Sequence, residues 1–338
     1  MQSSVLVTGG AGYIGSHVVK QLGAQLGLDA KSLIVLDDLS TGFKPAVKYG
    51  TFVQGSVDDY DLVLGLLKKH NIKTVLHFAA KTIVPESVSN PLKYFRCNTF
   101  ATTQLMQACV DASVENFIFS STAAVYGIPE TDECTEETPT NPINAYGASK
   151  LMSEQILNEV GRAHGMKFVV LRYFNVAGCD PEGKIGQSTK KATLLTKVAV
   201  EAALGKREKV YVFGTDYDTP DGTGIRDYIH VEDLASAHLC AMKYLEEGGD
   251  SITLNCGYGH GYSVREVLAM VEKVHGEPLT IEEQDRRAGD PPALVAKSAK
   301  VNQVLNWTPQ YDDLSVIVSS ALAWEKKLLA CGQDYPET

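Results

Sequence analysis

Short apolar runs alternate with longer amphipathic stretches through the first half of the chain. The runs are VLVTG (5–9), SLIVLDD (32–38), TVLHFAA (74–80), NFIFSS (116–121) and KFVVLRYFN (167–175). Each is rich in Val, Ile, Leu or Phe and lacks the apolar–polar alternation of a half-exposed strand. Between them, stretches such as 13–26 and 99–110 carry apolar residues at helical spacing. Continuous apolar strands alternating with helices predict a parallel sheet covered on both faces. Right-handed crossovers then make it an α/β, doubly wound sheet. From about Gly178 the texture shifts to more Gly, Pro and charge in shorter elements. A first domain over 1–178 and a second, smaller mixed α/β lobe over 179–338 are expected. The stretch 225–245 reads as a strand and helix returning to the main sheet, so the return segment lies near 225–258.

The length of 338 residues fits roughly two domains. With 31 basic and 41 acidic residues the formal net charge is −10, which argues against a nucleic-acid partner. A local cluster of donors for a small anion remains compatible with it. Cys97, Cys109, Cys134, Cys179, Cys240, Cys256 and Cys331 are scattered, with no CxxC or Cys/His spacing. They read as reduced thiols of a cytoplasmic protein, with no metal site. The opening MQSSVLVTGG has no signal-peptide character, and no run approaches the ~20 apolar residues of a membrane span.

Two motifs bring chemistry into this frame. VLVTGGAGYIG (5–15) runs a strand into Gly9, Gly12 and Gly15 and then a helix. Glycines at this spacing let the backbone approach a pyrophosphate, whose charge meets free N–H groups at the helix start. Glycine triplets are also found in plain turns; the strand before and helix after make this a Rossmann-like cradle. In VLDDLSTG, an acidic residue ending the second strand suits ribose hydroxyls and repels a 2′-phosphate. Asp37 is the candidate, Asp38 the alternative, and NAD is favoured over NADP.

The second motif is NAYGASK (144–150). On a helix, Tyr146 and Lys150 share one face at i, i+4. A nearby ammonium favours the phenolate. A tyrosine base near neutrality must titrate about three pH units below its usual ~10, on the order of 4 kcal/mol. A buried lysine plus a positive nicotinamide ring would supply that.

The glycine spacing together with Tyr146-x-x-x-Lys150 resembles the extended short-chain dehydrogenase/reductase superfamily. There a Ser or Thr after the strand NFIFSS completes the catalytic trio, and Thr122 matches it. HFAAKTIVPESVSNP, LRYFNVAG and DGTGIRDYIHVEDLA extend the resemblance, over essentially the whole chain, to the UDP-glucose 4-epimerase family. The resemblance implies a tightly held NAD that is not consumed. It also implies reversible 4-epimerisation of UDP-glucose and UDP-galactose. Tyr146 would take the proton of the sugar 4-hydroxyl while C4 gives a hydride to the nicotinamide. The ketosugar would turn about its diphosphate link, and hydride and proton would return on the other face.

By the same resemblance, Gly9, Gly12, Tyr13, Ile14, Gly15, Asp37, Ser56 and Val57 line the adenosine and pyrophosphate side. Phe78, Lys81, Asn98, Tyr146, Lys150 and Tyr173 lie toward the cofactor phosphate and nicotinamide. Thr122 and Asn175 meet the substrate, Arg226 and Arg287 clamp its phosphates, Asp290 holds the uridine ribose and Phe213 lies near the uracil. Arg286 reads instead as a surface ion pair. A homodimer through the helices of 99–110 and 151–164 is expected, as in relatives.

Three departures stand out. Ser56 replaces an acidic residue that meets the adenine amine. Leu194 and Leu195 stand where many members carry an Asn-Asn-Leu substrate contact; that polar role is not carried over, and Leu195 is kept as a substrate-side position. Leu294 stands where a tyrosine excludes N-acetyl sugars and a small residue admits them, so UDP-N-acetylhexosamine or pentose substrates stay open. A 4,6-dehydratase is disfavoured because Ala123 and Ala124, not Asp-Glu, follow Thr122. A non-catalytic NAD-binding scaffold is the reading from another class, disfavoured by the retained trio.

Overall fold

A computed structural model describes residues 4–131, 133–189, 192–287 and 290–332. Outside these lie the first three residues of the N-terminal stretch, Lys190 and Lys191 of KKATLLTKV, and Ala288 and Gly289 of RRAGD.

The first part of the chain runs β1 (Ser4–Thr8), α1 (Tyr13–Leu26), β2 (Leu33–Asp37), β3 (Thr51–Gln54), α2 (Tyr60–Lys69), β4 (Ile72–His77), α3 (Val84–Ser89), α4 (Pro91–Tyr94), α5 (Ala101–Asp111), β5 (Asn116–Thr122), β6 (Glu133–Cys134), α6 (Ala145–His164) and β7 (Lys167–Tyr173). The remainder runs β8 (Asn175–Ala177), α7 (Leu195–Ala203), β9 (Val210–Phe213), β10 (Ile225–Arg226), β11 (Tyr228–His230), α8 (Val231–Glu246), β12 (Ile252–Cys256), β13 (Tyr262–Ser263), α9 (Val264–His275), β14 (Ile281–Gln284), β15 (Ala293–Ala296), α10 (Ala299–Leu305) and α11 (Leu314–Cys331).

The main sheet has seven parallel strands in the order β12-β7-β5-β4-β1-β2-β3. Alternation along each strand separates two cores, because successive side chains point to opposite faces. Val5, Val7, Val35, Leu76, Ile118, Val169 and Leu171 pack with α1 and α8. Leu6, Ile34, Leu36, Val75, Phe117, Phe119, Phe168 and Val170 pack with α2, α5 and α6. This is the α/β, doubly wound arrangement that the uninterrupted apolar runs predict. The strand order reverses between β1 and β4, which opens a crevice at the carboxyl ends of the strands.

The returning segment differs in detail from the expectation. β10 and β11 do not enter the large sheet; β11 pairs with β8, and β10 joins β13, β15 and β6 in a four-stranded sheet. The place beside β7 is taken by β12. Helix α8 does return, packing on α1 and the sheet. A separate apolar core joins α7, α9, α11 and β9 around Val200, Val212, Leu268 and Ile317.

Helix α5 also begins differently. The chain is already helical from Pro91 and passes through a π turn over Phe95–Phe100 before α5. That wide turn holds buried Asn98 toward the crevice side of the sheet.

A buried cluster fixes α8 to α1. Glu232, in the first turn of α8, contacts His17 Nδ1 at 2.5 Å and accepts from Lys20 at 2.7 Å and from Gln21 Nε2 at 2.7 Å. Lys20 also donates to Asp180 at 2.9 Å. Burial pushes the Glu232 carboxyl up, but His17 and Lys20 outweigh it and bring it down to about 2. A depressed carboxyl stabilises the fold fully above its ordinary value near 4.5 and loses that contribution as pH falls toward 2. Glu232→Gln should therefore cost on the order of 3 kcal/mol at pH 7 by urea denaturation. The gap from the parent should narrow steadily between pH 5 and pH 2, at roughly the carboxyl range. A gap that stays constant over that interval would assign the loss to packing instead of charge.

Candidate active site

The crevice begins with the turn from β1 into α1. Gly9 has φ of +70° and its hypothetical Cβ would stand 2.6 Å from Ala79 N. At Gly15 a Cβ would meet the Gly9 carbonyl oxygen at 2.3 Å, so only glycine allows this closeness of strand and helix. Gly12 is the N-cap of α1, with no side-chain cap and no acidic residue in the first turn. A Cβ there would touch little besides the Gly9 oxygen. The first N–H groups of α1 thus carry the positive end of the helix dipole toward open space, which fits a pyrophosphate. Tyr13 turns away and donates to the Gly178 carbonyl at 2.5 Å. Ile14 packs against the core under α1.

Asp37 closes β2 and is buried, accepting from Ala11 N at 3.0 Å and Leu39 N at 2.8 Å. Burial raises its carboxyl, and the two backbone donors oppose this. Asp38 is exposed and accepts only from Ser40 N at 2.8 Å among the described contacts. The geometry therefore puts Asp37, not Asp38, against the glycine turn. Lys81 reaches Ser40 Oγ at 2.6 Å, bringing its ammonium to the loop after β2. Ser56 and Val57 follow β3; the Ser56 carbonyl accepts from Asp59 N at 3.3 Å, and Val57 is buried in the second core.

The crevice floor holds the candidate catalytic groups. Thr122 is the last residue of β5, and its hydroxyl accepts from Ala124 N at 3.1 Å. It also opposes the rise that burial gives the Tyr146 phenol. The strand-end cap and the influence on the tyrosine therefore coexist. Asn144 caps α6 through Gly147 N at 2.9 Å, which starts the helix just before Tyr146 and places Lys150 one turn later on the same face. Asn98 bridges Lys81 N at 2.8 Å and Ser149 Oγ at 3.0 Å, tying the π turn to this helix. Phe78 and Tyr173 flank the His238 ring at 4.7 and 6.5 Å between centroids.

The electrostatics of Tyr146 and Lys150 run opposite to the simple expectation. Burial, then the neighbouring Tyr173, push the phenol up, with only Thr122 opposing among the principal influences. Burial pushes the Lys150 ammonium down to about 7, opposed by Glu154. The Lys150 Nζ stands 4.2 Å from the centre of the Phe119 ring. Within the protein's own groups, desolvation sets the direction of both shifts.

Across the crevice, Arg287 lies over the Phe213 ring at 3.7 Å. Asp290 N donates to the Arg287 carbonyl at 3.3 Å. Arg226 and Leu294 are register neighbours in β10 and β15. Leu294 packs against the cluster that includes Ala123 and Tyr126, immediately after Thr122. Asn175 opens β8 and its N–H donates to the Asp227 carbonyl at 2.9 Å. Leu195 starts α7 and packs against the second lobe's apolar core, contributing no polar group. Arg286 pairs with Asp216 at 2.7 Å and lies over Tyr217 at 4.3 Å.

Two features were not singled out from sequence. Tyr217 has a buried hydroxyl without a partner among the described residues and feels Asp290, Arg226 and Arg286. Nothing in DYDTPDG marks it. Glu154 and Arg172 form a buried pair behind the floor. Glu154 follows Lys150 at i+4, a signal that was present in the sequence.

The matches to known proteins agree with this geometry. The family described as "NAD dependent epimerase/dehydratase family" matches residues 5–257. A UDP-glucose 4-epimerase of Azospirillum brasilense is 52% identical over 325 residues, covering 96% of this chain and 92% of that protein. The crystal structure of a UDP-glucose 4-epimerase from Brucella ovis in complex with NAD superposes with a TM-score of 0.92 at 42% identity, covering 95% and 98%. The UDP-Glc/GlcNAc 4-epimerase of Campylobacter jejuni gives 0.84 at 46% identity, covering 96% and 100%. With its glycine cradle, its acidic β2 end and its Thr–Tyr–Lys floor in one crevice, the chain belongs to the NAD dependent epimerase/dehydratase family.

Proposed function

We propose that the protein interconverts UDP-glucose and UDP-galactose by reversible epimerisation at C4, using an NAD that stays bound through turnover. The observation that supports this reading is that Thr122 ends β5 and Tyr146 and Lys150 open α6, beside the same sheet whose β1–α1 turn forms the glycine cradle. The names of the relatives support it. Bound NAD would supply a hydride acceptor, a hydride donor for the return, and a positive ring beside the phenol.

The chain's own groups do the rest. Tyr146 takes the proton of the C4 hydroxyl and gives it back, while the Thr122 hydroxyl hydrogen-bonds the same oxygen. Lys150 holds positive charge one turn from the phenol and donates to the cofactor ribose. Arg226 and Arg287 grip the diphosphate, and Phe213 and Asp290 hold the uridine. An anchor at the nucleotide end leaves the sugar free to turn and offer its other face. By the family resemblance, Leu294 is intermediate in bulk between the tyrosine that excludes N-acetyl sugars and the small residue that admits them, so UDP-glucose and UDP-galactose are the substrates proposed and the N-acetylated pair is the alternative to be tested.

A homodimer fits the apolar surface. Val88, Leu92, Phe100 and Met152 are 67%, 78%, 52% and 43% exposed on neighbouring helices α3 to α6 and the intervening π turn. Such side chains clustered in water favour a partner surface. No described helix is long and apolar enough to cross a membrane. The cysteines are free thiols, which supports a reducing compartment such as the cytoplasm.

Protein purified without added NAD should convert UDP-galactose to UDP-glucose, followed by proton NMR of the sugars. Tyr146→Phe should keep the fold and bound NAD and lose turnover by about 10²–10⁴-fold. Near-parental turnover would remove Tyr146 from the reaction, and an inactive parent supplied with NAD would sink the epimerase reading. In the same assay Leu294→Tyr should lower turnover of UDP-N-acetylgalactosamine about tenfold more than that of UDP-galactose. An equal effect on both would show that residue 294 does not face the sugar. Phe100→Glu should convert a dimer into a monomer in analytical ultracentrifugation; a variant that sediments like the parent would place the interface elsewhere.

A further inference from the structure

A buried charge pair lies directly behind the reactive floor. Glu154 is 3% exposed and sits on α6 four residues after Lys150. Its carboxylate accepts from Arg172 Nη2 at 2.6 Å and Nε at 3.1 Å, and from the Ser121 hydroxyl. Arg172 Nη1 donates to the Tyr126 hydroxyl at 3.0 Å, which in turn donates to Asn255 Oδ1 at 2.6 Å. One carboxylate thus joins α6 to the ends of β5 and β7. Ser121 is the residue before Thr122, and Arg172 the residue before Tyr173.

Joining three elements does not by itself explain the choice of charges. A buried ion pair is often replaceable by apolar side chains without loss of stability. What an apolar pair cannot provide is a negative charge one helical turn from Lys150. The groups facing Lys150 are otherwise uncharged or cationic. From α6 comes the Tyr146 phenol; from β5, the Phe119 ring at 4.2 Å. From β4 comes His77, buried between the Thr8 and Thr102 hydroxyls at 2.6 and 2.8 Å and held well below its usual titration range by burial and by Lys150 itself. From β7 comes half-buried Tyr173, which acts on the Tyr146 phenol, and Arg172 stands beyond Glu154. Among the described residues, Glu154 is the carboxylate that holds the Lys150 ammonium up against burial.

We infer that Glu154, braced by Arg172, is a positioning residue: its buried carboxylate, one helical turn after Lys150, supports the lysine's charge beside Tyr146, and its bond to Ser121 holds Thr122 in register with Tyr146. This rests on the epimerase reading above, in which Tyr146 needs a cation beside it. Desolvation works against the ammonium, and Glu154 is the group that opposes it. Arg172 in turn fixes the direction of the Glu154 carboxylate by a two-point contact.

Glu154→Gln alone would strand Arg172, so both charges are removed together. The holoenzyme carrying Glu154→Leu and Arg172→Met should fold, with a melting temperature close to the parent's. Its kcat for UDP-galactose should fall about tenfold, with KM changed less than about twofold. The pair takes away a negative charge one turn from Lys150 and a positive charge beyond it; Glu154 is the one of the two that acts on Lys150, so the net effect lowers the pH at which Lys150 gives up its proton. The alkaline fall in kcat should therefore begin about one pH unit lower than in the parent. The Lys150 signal in isotope-labelled protein should titrate lower by a similar amount. A second pair, Glu154→Gln with Arg172→Gln, keeps hydrogen-bonding atoms and should show the same displacement. Parental kcat and an unmoved pH profile in either folded pair would overturn the inference and leave the pair a structural tie. An inactive parent would instead refute the epimerase reading, so the two failures are distinguishable.

Discussion

The contact of Gly15 with the carbonyl of Gly9 sets the geometry on which the rest of the crevice depends. Because no Cβ intervenes, α1 starts directly over the end of β1, and its first N–H groups look across the carboxyl ends of the strands. Every other site element is placed relative to that turn: Asp37 closes β2 on one side of it, and Thr122 ends β5 on the other. Further along α1, His17, Lys20 and Gln21 hold Glu232 at the start of α8. The cradle is therefore rigid at both ends. One end is limited by backbone contact and the other is held by buried charge.

Electrostatically the floor is an expensive place for a charge. Burial moves Lys150 down to about 7 and Tyr146 up, so desolvation disfavours an ammonium–phenolate pair. This is the opposite of what the four-residue spacing suggests on its own. Spacing gives direction, but the sign of a shift depends on how much water is lost against how much charge is gained. The pair becomes useful only with further charge from outside it. Glu154 supplies one such charge from within the fold, and a positive nicotinamide ring would supply another next to the phenol.

Much of this was legible in the sequence. The uninterrupted apolar runs encode a sheet buried on both faces, and the residues of those runs separate into two cores by simple alternation. Gly9, Gly12, Gly15, Asn144, Tyr146 and Lys150 act through local geometry that a short window contains. The second lobe was less legible because its strands are only two to four residues long and pair across distant segments, as β10 does with β13 and β15. Periodicity cannot develop over two residues. Tyr217 escaped for the same reason: its neighbours Arg226, Arg286 and Asp290 reach it only through tertiary folding. The π turn before α5 was missed because helical spacing of apolar residues does not separate the two winds.

The alternation that makes the sheet also divides the work at its edge. Along β5 and β7, Ser120 and Tyr173 face α8, where Tyr173 meets the His238 ring. Ser121 and Arg172 face α6, where both meet Glu154. Adjacent residues on one strand thus serve two environments, an uncharged aromatic one and a charged one. The first depends on α8, which reaches the sheet only after the chain has built part of the second lobe. That is why the returning segment belongs to the chemistry as much as to the fold: without α8 and β12, one face of β7 would lie open to water. Water there would reach Tyr173, the neighbour that acts on the Tyr146 phenol. The return therefore bears on the surroundings of a tyrosine that lies wholly in the first half of the chain.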